Sequence, residues 1–377
     1  MYNLQQIKKG LKNPHLLQNK INRKTEKVWH GSVLTQLPHD VSIRGNYRTG
    51  NVGNRAVGEI LRYQLSQRGN RVRLFDDNAR STRAPVRIIG GGGGFHDRFG
   101  TSKLEGRIDF VSGDGGAILA TGVPGICTEE GRKIVESKLS NVDLVTVRSE
   151  HDYQNLNEIA DIPIQIAACP TLLYSNPSTT PLQKTGVNFC PWFSNPEYYS
   201  DYSDPEVLSS YFGYEPTIDV KKAKQNYIKN IRYICNNVEN PIFIPFQKAD
   251  EIFARKYLDI EIWPYEFSVK KTFERVSSVN RMVTTRYHSL IFAVVCDKPV
   301  LPIAYAPKVT ALTEQLAISS YPPHESVSLK FESASNLTAI RRSAIKNFDL
   351  FNKIILRENN KNKDINSILL NPNNLKY

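Results

Sequence analysis

From residue 41 onward, short apolar runs alternate with segments of helical periodicity, and this alternation constrains the fold more than any other feature. Strand-like runs in the first half include "VSIRGN", "VRLF", "VRIIGG", "GAILATG", "VDLVTVR" and "PIQIAA". The first helical segment, "NRAVGEILRYQLSQRG", places Val57, Ile60, Leu61 and Leu65 at helical spacing and carries a glycine near its end. Such alternation predicts parallel βαβ units with helices on both faces of a sheet.

A stretch rich in proline, serine and threonine, residues 174–186, interrupts the pattern, which then restarts. We therefore expect an α/β fold with two Rossmann-like domains that face a central cleft. The predicted N-terminal domain covers residues 31–180 and the C-terminal domain residues 181–330. A basic extension, 1–30, and a helical segment, 331–377, flank them. In open parallel sheets, ligands bind beyond the carboxyl ends of the strands, so candidate residues are sought there.

The charge of the chain restricts its partners. The net charge is +12, and residues 1–30 hold seven Lys or Arg against one acid. This extension is either a solvated basic tail or a segment attracted to an anionic membrane surface or glycan. Nucleic acid is not expected, because no basic stripe is interleaved with aromatic residues. The sequence shows neither an apolar window of membrane-spanning length nor a secretory signal, which predicts a cytoplasmic protein.

The cysteines indicate neither a disulfide framework nor a metal site. They are odd in number, scattered, and never in CxxC spacing, at positions 127, 169, 190, 235 and 296. We expect reduced thiols in the core. The absence of HExxH, of paired Cys/His clusters and of DxD leaves a dedicated metal site without support, and no cofactor is expected.

The most informative motif is "TTRYHSL". Thr284 and Thr285 end a predicted strand, and a helix is predicted to begin near Tyr287. Residues two apart in extended backbone face the same side, so Arg286 and His288 would both point into the cleft beside a helix N-terminus. That combination predicts an anion site with a proton carrier attached. The alternative is a packing or capping histidine next to a surface arginine.

Two glycine segments follow predicted strands. In "RTGNVGNRAVGE", the glycine-bearing turn would let a ligand approach the backbone closely. The alternative is a tight strand-to-helix turn with no ligand. The candidate residues of this turn are Gly50, Asn51, Gly53 and Asn54. In "IIGGGGGFHDRFG", five consecutive glycines carry a high entropic cost that mere connection explains poorly. We expect this segment to line the cleft through Gly92, Gly93 and Gly94. His96 and Asp97 are either a general-base pair or a satisfied loop pair.

Further cationic candidates stand at strand ends. Arg148 ends the strand "LVTVR", and Lys308 follows the strand "PVLPIAY". Each is predicted to meet an anionic ligand, although Arg148 also fits an ordinary surface arginine. Gln247, Asp250 and Glu251 also follow an apolar strand, and we regard them as weaker candidates.

Taken together, these motifs resemble the polysaccharide pyruvyl transferase family over roughly residues 41–310. The segment "RYHSLIFAVVCDKPVLPIAYAPKV" is similar to the family's Arg-x-His, small apolar helix, x-Pro-Val strand and Tyr-x-Pro-Lys-Val pattern. The glycine turn Gly50–Gly53, the segment Gly90–Gly94 and "VRSE" at 147–150 support it. The family usually has an acid after the glycine of the first turn, where this chain has Asn54.

The resemblance implies a GT-B-type enzyme that moves a pyruvyl unit from phosphoenolpyruvate onto two hydroxyls of a sugar, forming a cyclic ketal. The acceptor would be a sugar or a lipid-linked oligosaccharide used for capsule or exopolysaccharide. Carried over by position, Arg286, His288 and Arg148 would be donor-site residues. Their chemistry suits that role, since arginines grip carboxylate and phosphate while His288 transfers protons and Lys308 assists. The glycine segments would admit the acceptor.

Two other functions stay open on the sequence. A nucleotide-sugar glycosyltransferase of the same fold often has a glutamate in the helix before the x-Pro strand, but "SLIFAVVC" holds no acid. A non-catalytic protein that binds a glycan or a membrane surface would suit the basic extension.

Overall fold

The computed structural model of the chain describes residues 38–76, 84–98, 100–193, 208–209, 212–215 and 217–369, with side chains described up to residue 357. The predicted contact of residues 1–30 with a membrane or glycan lies outside the described residues. The described chain divides into two compact units. The N-terminal unit comprises Pro38–Gly45, Gly58–Pro170 and the chain from Arg341 onward, and the C-terminal unit comprises Asn46–Val57 and Thr171–Ile340.

Within the described residues, the N-terminal unit contains a six-stranded sheet that is parallel throughout, in the order β2-β1-β3-β4-β5-β6. Its strands are β1 Val41–Gly45, β2 Val72–Asp76, β3 Val86–Gly90, β4 Gly113–Thr121, β5 Val142–Val147 and β6 Ile164–Ile166. The helices in this part of the chain are α1 Val52–Ser66, α2 Thr101–Val111, α3 Glu129–Lys138 and α4 Glu150–Asn157. Apolar residues of β3 to β6 and α2 to α4 form one core cluster.

The C-terminal unit has a second parallel sheet, in the order β11-β10-β7-β8-β9. Its strands are β7 Thr185–Asn188, β8 Pro241–Phe243, β9 Glu261–Ile262, β10 Arg281–Thr284 and β11 Val300–Pro302. Its helices are α5 Val220–Asn237, α6 Lys248–Tyr257, α7 Val269–Ser278, α8 Tyr287–Val295 and α9 Pro307–Leu316, and α10 Leu337–Leu369 closes the described chain. Strand order reverses between β7 and β10, which is where ligands bind in open α/β sheets.

These sheets confirm the predicted α/β class with two Rossmann-like parallel sheets. The helical spacing in α1 is also confirmed, because Val57, Ile60, Leu61 and Leu65 are all buried. Helix α8 is apolar beyond its first turn, and each of its residues is buried. A helix of this kind can sit only inside a core, so its first turn is held rigidly.

Several helices were not anticipated from the sequence, namely α2, α4, α7 and α9. Three of them carry ordinary start signals. The side chain of Ser149 accepts a hydrogen bond from the backbone N–H of Asp152 and caps α4. The side chain of Ser268 accepts a hydrogen bond from the backbone N–H of Lys271 and caps α7. Pro307 begins α9 at the first helical position, where its missing N–H costs nothing.

The cysteine prediction is wrong for one residue. None of the five cysteines forms a disulfide, but Cys127 is exposed, whereas Cys169, Cys190, Cys235 and Cys296 are buried. Cys127 lies in the loop between β4 and α3, so it is not part of the core. In the described part of the chain, we find no helix that combines the length and the apolar character needed to cross a bilayer.

We expect one fast-reacting thiol in the native protein. Burial raises the pKa of Cys190, Cys235 and Cys296 to about 12. Because a raised pKa keeps the group protonated, such a thiol holds roughly 10³-fold less thiolate at pH 8 than an exposed one. Labelling with a chromogenic disulfide should show a single fast equivalent that Cys127→Ser removes. Two or more fast equivalents in the folded protein would contradict the burial described here.

Candidate functional site

Arg286 lies where strand β10 ends and helix α8 begins, with extended backbone at φ −76° and ψ 142°. Its Nε donates to Oδ2 of Asp250 at 2.7 Å, and its Nη2 donates to Oδ1. The Asp250 side chain is fully buried, and that of Arg286 is 15% exposed. This two-point contact fixes the plane of the guanidinium group. Its opposite edge, which carries Nη1, donates to no described residue.

The charge of Arg286 is secured by the same contact. Burial alone would lower the pKa of Arg286, but the charge and hydrogen bonds of Asp250 outweigh it and raise that pKa above its ordinary value. The carboxylate in turn accepts backbone N–H groups of Phe246 and Gln247, both at 3.1 Å, at the start of α6. A helix N-terminus stabilises a buried carboxylate in this way. Asp250 is therefore an oriented anchor that keeps Arg286 cationic.

His288 lies in the first turn of α8 and is buried, with 7% exposure. Its ring packs against the backbone of Gly53, where an added Cβ would lie 2.2 Å from Nδ1 and 2.4 Å from Cγ. Gly53 belongs to the first turn of α1, where alanine would favour the helix by about 1 kcal/mol. The close approach of the imidazole explains why glycine occupies this position. The structure thus brings the predicted glycine turn against His288, two residues beyond Arg286.

The turn before α1 is held by specific hydrogen bonds. Gly50 adopts φ 78°, and its carbonyl accepts the hydroxyl of Tyr265 at 2.7 Å. Asn51 caps α1, since its Oδ1 accepts the backbone N–H of Asn54 at 3.2 Å. The side chain of Asn54 makes no hydrogen bond to a described residue. Helix capping therefore falls to Asn51, and Asn54 contributes only its backbone.

Lys308 lies in the first turn of α9, with its Nζ 5.1 Å from the centre of the Tyr305 ring. Cys190 follows strand β7, the neighbour of β10 in the sheet. Burial raises the pKa of the Cys190 thiol, whereas the charges of Arg286 and Lys308 both act to lower it. Arg286 and Lys308 follow the neighbouring parallel strands β10 and β11. All three residues therefore lie at the carboxyl end of this sheet, beside the reversal of strand order.

Arg148 occupies a comparable position in the N-terminal unit. It follows β5, is 3% exposed, and donates from Nε to Oδ2 of Asp152 at 3.3 Å. Asp152 lies in the first turn of α4, and its Oδ1 accepts the backbone N–H of Val123 at 2.6 Å. A Cβ at Gly122 would lie 2.0 Å from Nη2 of Arg148, and one at Gly93 would lie 3.7 Å away. Arg148 thus packs on the glycine-rich segment, and its role at a donor site stays a prediction.

The five-glycine segment forms a turn beyond β3. Gly91 and Gly92 have φ of 59° and 72°, which favours glycine at both positions. The carbonyl of Gly92 accepts the backbone N–H of Gly122 at 2.7 Å, and Gly94 packs against the guanidinium of Arg107. The segment is therefore tied to the end of β4. Whether it contacts an acceptor stays a prediction.

His96 and Asp97 lie in the loop that follows. Nδ1 of His96 accepts the backbone N–H of Arg98 at 3.1 Å. Asp97 is 4% exposed, and its two oxygens accept the backbone N–H groups of Cys127 and Thr128 at 3.1 and 2.7 Å. The Thr128 hydroxyl adds a third hydrogen bond at 2.6 Å. These contacts favour the satisfied loop pair, in which Asp97 anchors the start of α3.

Asp250 and Glu251, the weaker candidates from the sequence, are both buried and paired. Glu251 is 4% exposed and binds Lys248, Arg255 and the backbone N–H of Tyr265. Acids in the first turn of a predicted helix are so common that their position carried little weight. Their burial, which only the structure shows, separates them from ordinary capping acids. Among the described residues, no group of three or more His, Cys, Asp or Glu is placed to hold a metal ion.

A family model for polysaccharide pyruvyl transferases matches residues 51–307, which is more than half of the chain. The chain belongs to the polysaccharide pyruvyl transferase family. The family region contains Gly53, Asp250, Arg286 and His288, and Lys308 lies just beyond its end. Membership in this transferase family indicates a role in modifying a polysaccharide or its sugar precursor.

Solved structures similar to this family member include an uncharacterized protein from Klebsiella pneumoniae, 13% identical with a TM-score of 0.44, covering 84% of this chain and 99% of that one. The UDP-GlcNAc 2-epimerase of Methanocaldococcus jannaschii is 8% identical with a TM-score of 0.43, covering 80% and 97%. WaaG, a glycosyltransferase involved in lipopolysaccharide biosynthesis, is 11% identical with a TM-score of 0.35, covering 84% and 94%. No curated protein matches the chain.

The contact between Gly53 and His288 leads to a stability prediction. Gly53→Ala should lower the free energy of unfolding, because overpacking costs about 1–3 kcal/mol and exceeds the helix-propensity gain of about 1 kcal/mol. Gly106→Ala in α2 is the matched control, since the nearest atom to its new Cβ would be Nη2 of Arg44 at 4.0 Å. That control should be neutral or stabilising in denaturant titrations. Equal stabilisation by both substitutions would contradict the packing of His288.

Proposed function

We propose that this family member transfers the pyruvyl group of phosphoenolpyruvate onto two hydroxyls of a sugar in a polysaccharide precursor and closes a cyclic ketal. The observation that carries the proposal is the arrangement at the start of α8. Arg286 is held on one edge by the buried Asp250, and His288 lies in the first turn of the helix. An oriented cation and an imidazole at the start of one helix suit a reaction that combines an anionic donor with proton transfer.

The donor carries a carboxylate and a phosphate, so its site needs more than one source of positive charge. The open edge of Arg286 can donate two parallel hydrogen bonds to either group. The N-terminus of α8 adds the partial positive charge of the helix dipole. Lys308, which follows the neighbouring strand β11, supplies a second full charge. We assign the phosphate to Arg286 and the carboxylate end to Lys308.

The reaction needs several proton transfers. A proton added to C3 makes C2 electrophilic, and the first sugar hydroxyl attacks C2 while losing its proton. Phosphate then leaves with the electron pair of its C–O bond. The second hydroxyl attacks the same carbon, loses its proton and completes the ketal. We assign these transfers to His288, and one positioned acid–base group typically contributes about 10²–10⁴-fold.

Product analysis tests this proposal. The protein is incubated with phosphoenolpyruvate and a panel of free and lipid-linked sugars, and both phosphate release and ketal mass are measured. We expect phosphate release only with an acceptor, and a loss of about 10²-fold or more in His288→Ala. Arg281→Ala is the control, because Arg281 begins strand β10 and so lies at the opposite end of that strand from Arg286. Phosphate release without an acceptor, or transfer from a UDP- or GDP-sugar instead, would refute the assignment.

Substitution of Arg286 by lysine should separate charge from geometry. Lysine keeps the positive charge but cannot bind Asp250 and a donor anion through two parallel pairs of hydrogen bonds. Charged hydrogen bonds are worth about 1.5–3 kcal/mol, so we expect KM for phosphoenolpyruvate to rise about 10- to 100-fold. The acceptor KM should change little. Initial-rate kinetics with both substrates varied measure this, and an unchanged donor KM would exclude Arg286 from donor binding.

A further inference from the structure

The first turn of α6 contacts both halves of the site. We use the name α6 turn for residues 246–251, which run from the end of the β8 loop into α6. On one side, Asp250 binds the guanidinium of Arg286 with both oxygens. The same carboxylate is fixed by two backbone N–H groups of the turn itself. Any shift of the turn would therefore move or rotate Arg286.

On its other side, the α6 turn holds the glycine turn that meets His288. The carbonyl of Phe246 accepts the backbone N–H of Val52 at 3.0 Å. Glu251 accepts the backbone N–H of Tyr265 at 2.9 Å, and the hydroxyl of Tyr265 donates to the carbonyl of Gly50 at 2.7 Å. These two connections hold the chain directly before Gly53, whose backbone packs on the imidazole.

We propose that the α6 turn is the positioning element of the site: Asp250 sets the direction of the open edge of Arg286, and Glu251, through Tyr265, sets the distance between Gly53 and His288. The first limb of this proposal is the contact of Asp250 with Arg286, and the second limb is the connection from Glu251 through Tyr265 to the glycine turn. The chemical role of both limbs rests on the proposed function. Their effect on the positions of Arg286 and His288 does not, because it can be measured with inorganic phosphate and with the ring resonances of His288. Asp250 and Tyr265 are thus positioning residues that act through other groups.

Asparagine at position 250 tests the first limb with little change in shape. It still offers one oxygen to the backbone N–H groups, but its amide NH₂ would face an N–H group of Arg286. Two donors cannot form a hydrogen bond, so the guanidinium should leave its present plane. If Asp250 served only to stabilise α6, Asp250→Asn would lower the free energy of unfolding and leave anion binding unchanged.

The first experiment measures binding of inorganic phosphate by calorimetry. Asp250→Asn and Arg286→Ala should each weaken binding about 10-fold, and the double variant should be no weaker than Arg286→Ala alone. Asp259→Asn, an exposed position just beyond α6, is the control and should bind like the wild type. If Asp250→Asn does not fold, Asp250→Glu replaces it, with weaker binding again expected only when Arg286 is present. The first limb would be overturned if the losses of phosphate affinity in the two single variants added up in the double variant. It would also be overturned if Arg286→Ala bound phosphate as tightly as the wild type.

The second experiment removes one hydroxyl. Tyr265→Phe should shift the ring resonances of His288 in spectra of histidine-labelled protein, and it should lower kcat about 10-fold while KM for phosphoenolpyruvate stays within about two-fold. Tyr257→Phe at the end of α6 is the matched control and should do neither. Unshifted His288 resonances would overturn the second limb. A wild-type protein that binds phosphate as expected but never turns over phosphoenolpyruvate would count against the proposed function alone.

Discussion

The buried pair of Arg286 and Asp250 is the interaction on which the rest of the site depends. An isolated buried charge is costly, and a pair is tolerated only when the remaining hydrogen-bonding groups are satisfied. Asp250 meets this condition through two backbone N–H groups at the start of α6. Because these N–H groups already stabilise the carboxylate, Asp250 needs only one edge of the Arg286 guanidinium group. The other edge of the guanidinium group can therefore bind a ligand. The location of the cation thus follows from the location of a helix terminus.

The N-terminal unit uses a similar pairing. Arg148 also follows a parallel strand and is held by a buried aspartate in the first turn of a helix. The two pairs differ in their sequence separation, which is four residues for Arg148 and Asp152 and 36 for Arg286 and Asp250. The local pair can form as soon as α4 forms. The distant pair requires the sheet order that brings the ends of β8 and β10 to the two sides of β7.

The sequence predicted what depends on local pattern. The strand and helix alternation, the buried face of α1 and the position of Arg286 and His288 at a strand-to-helix junction all follow from periodicity and turn chemistry. It did not reveal the contact of Gly53 with His288, because residues so far apart in the chain meet only through strand order. Asp250 was undervalued for the same reason. Cys127 was misjudged because its exposure depends on loop packing, and no local pattern reports that.

The course of the chain also affects how this protein can be divided. Residues 46–57 lie between strands β1 and β2 in sequence but belong to the unit that otherwise begins at Thr171. A fragment starting at residue 171 would lack the backbone against which His288 packs and the carbonyl that Tyr265 binds. A chimera that joins the halves of two homologues at a single crossover would combine one parent's glycine turn with the other's imidazole. Such a chimera therefore needs additional crossovers on either side of residues 46–57, so that this segment comes from the same parent as His288 and Tyr265.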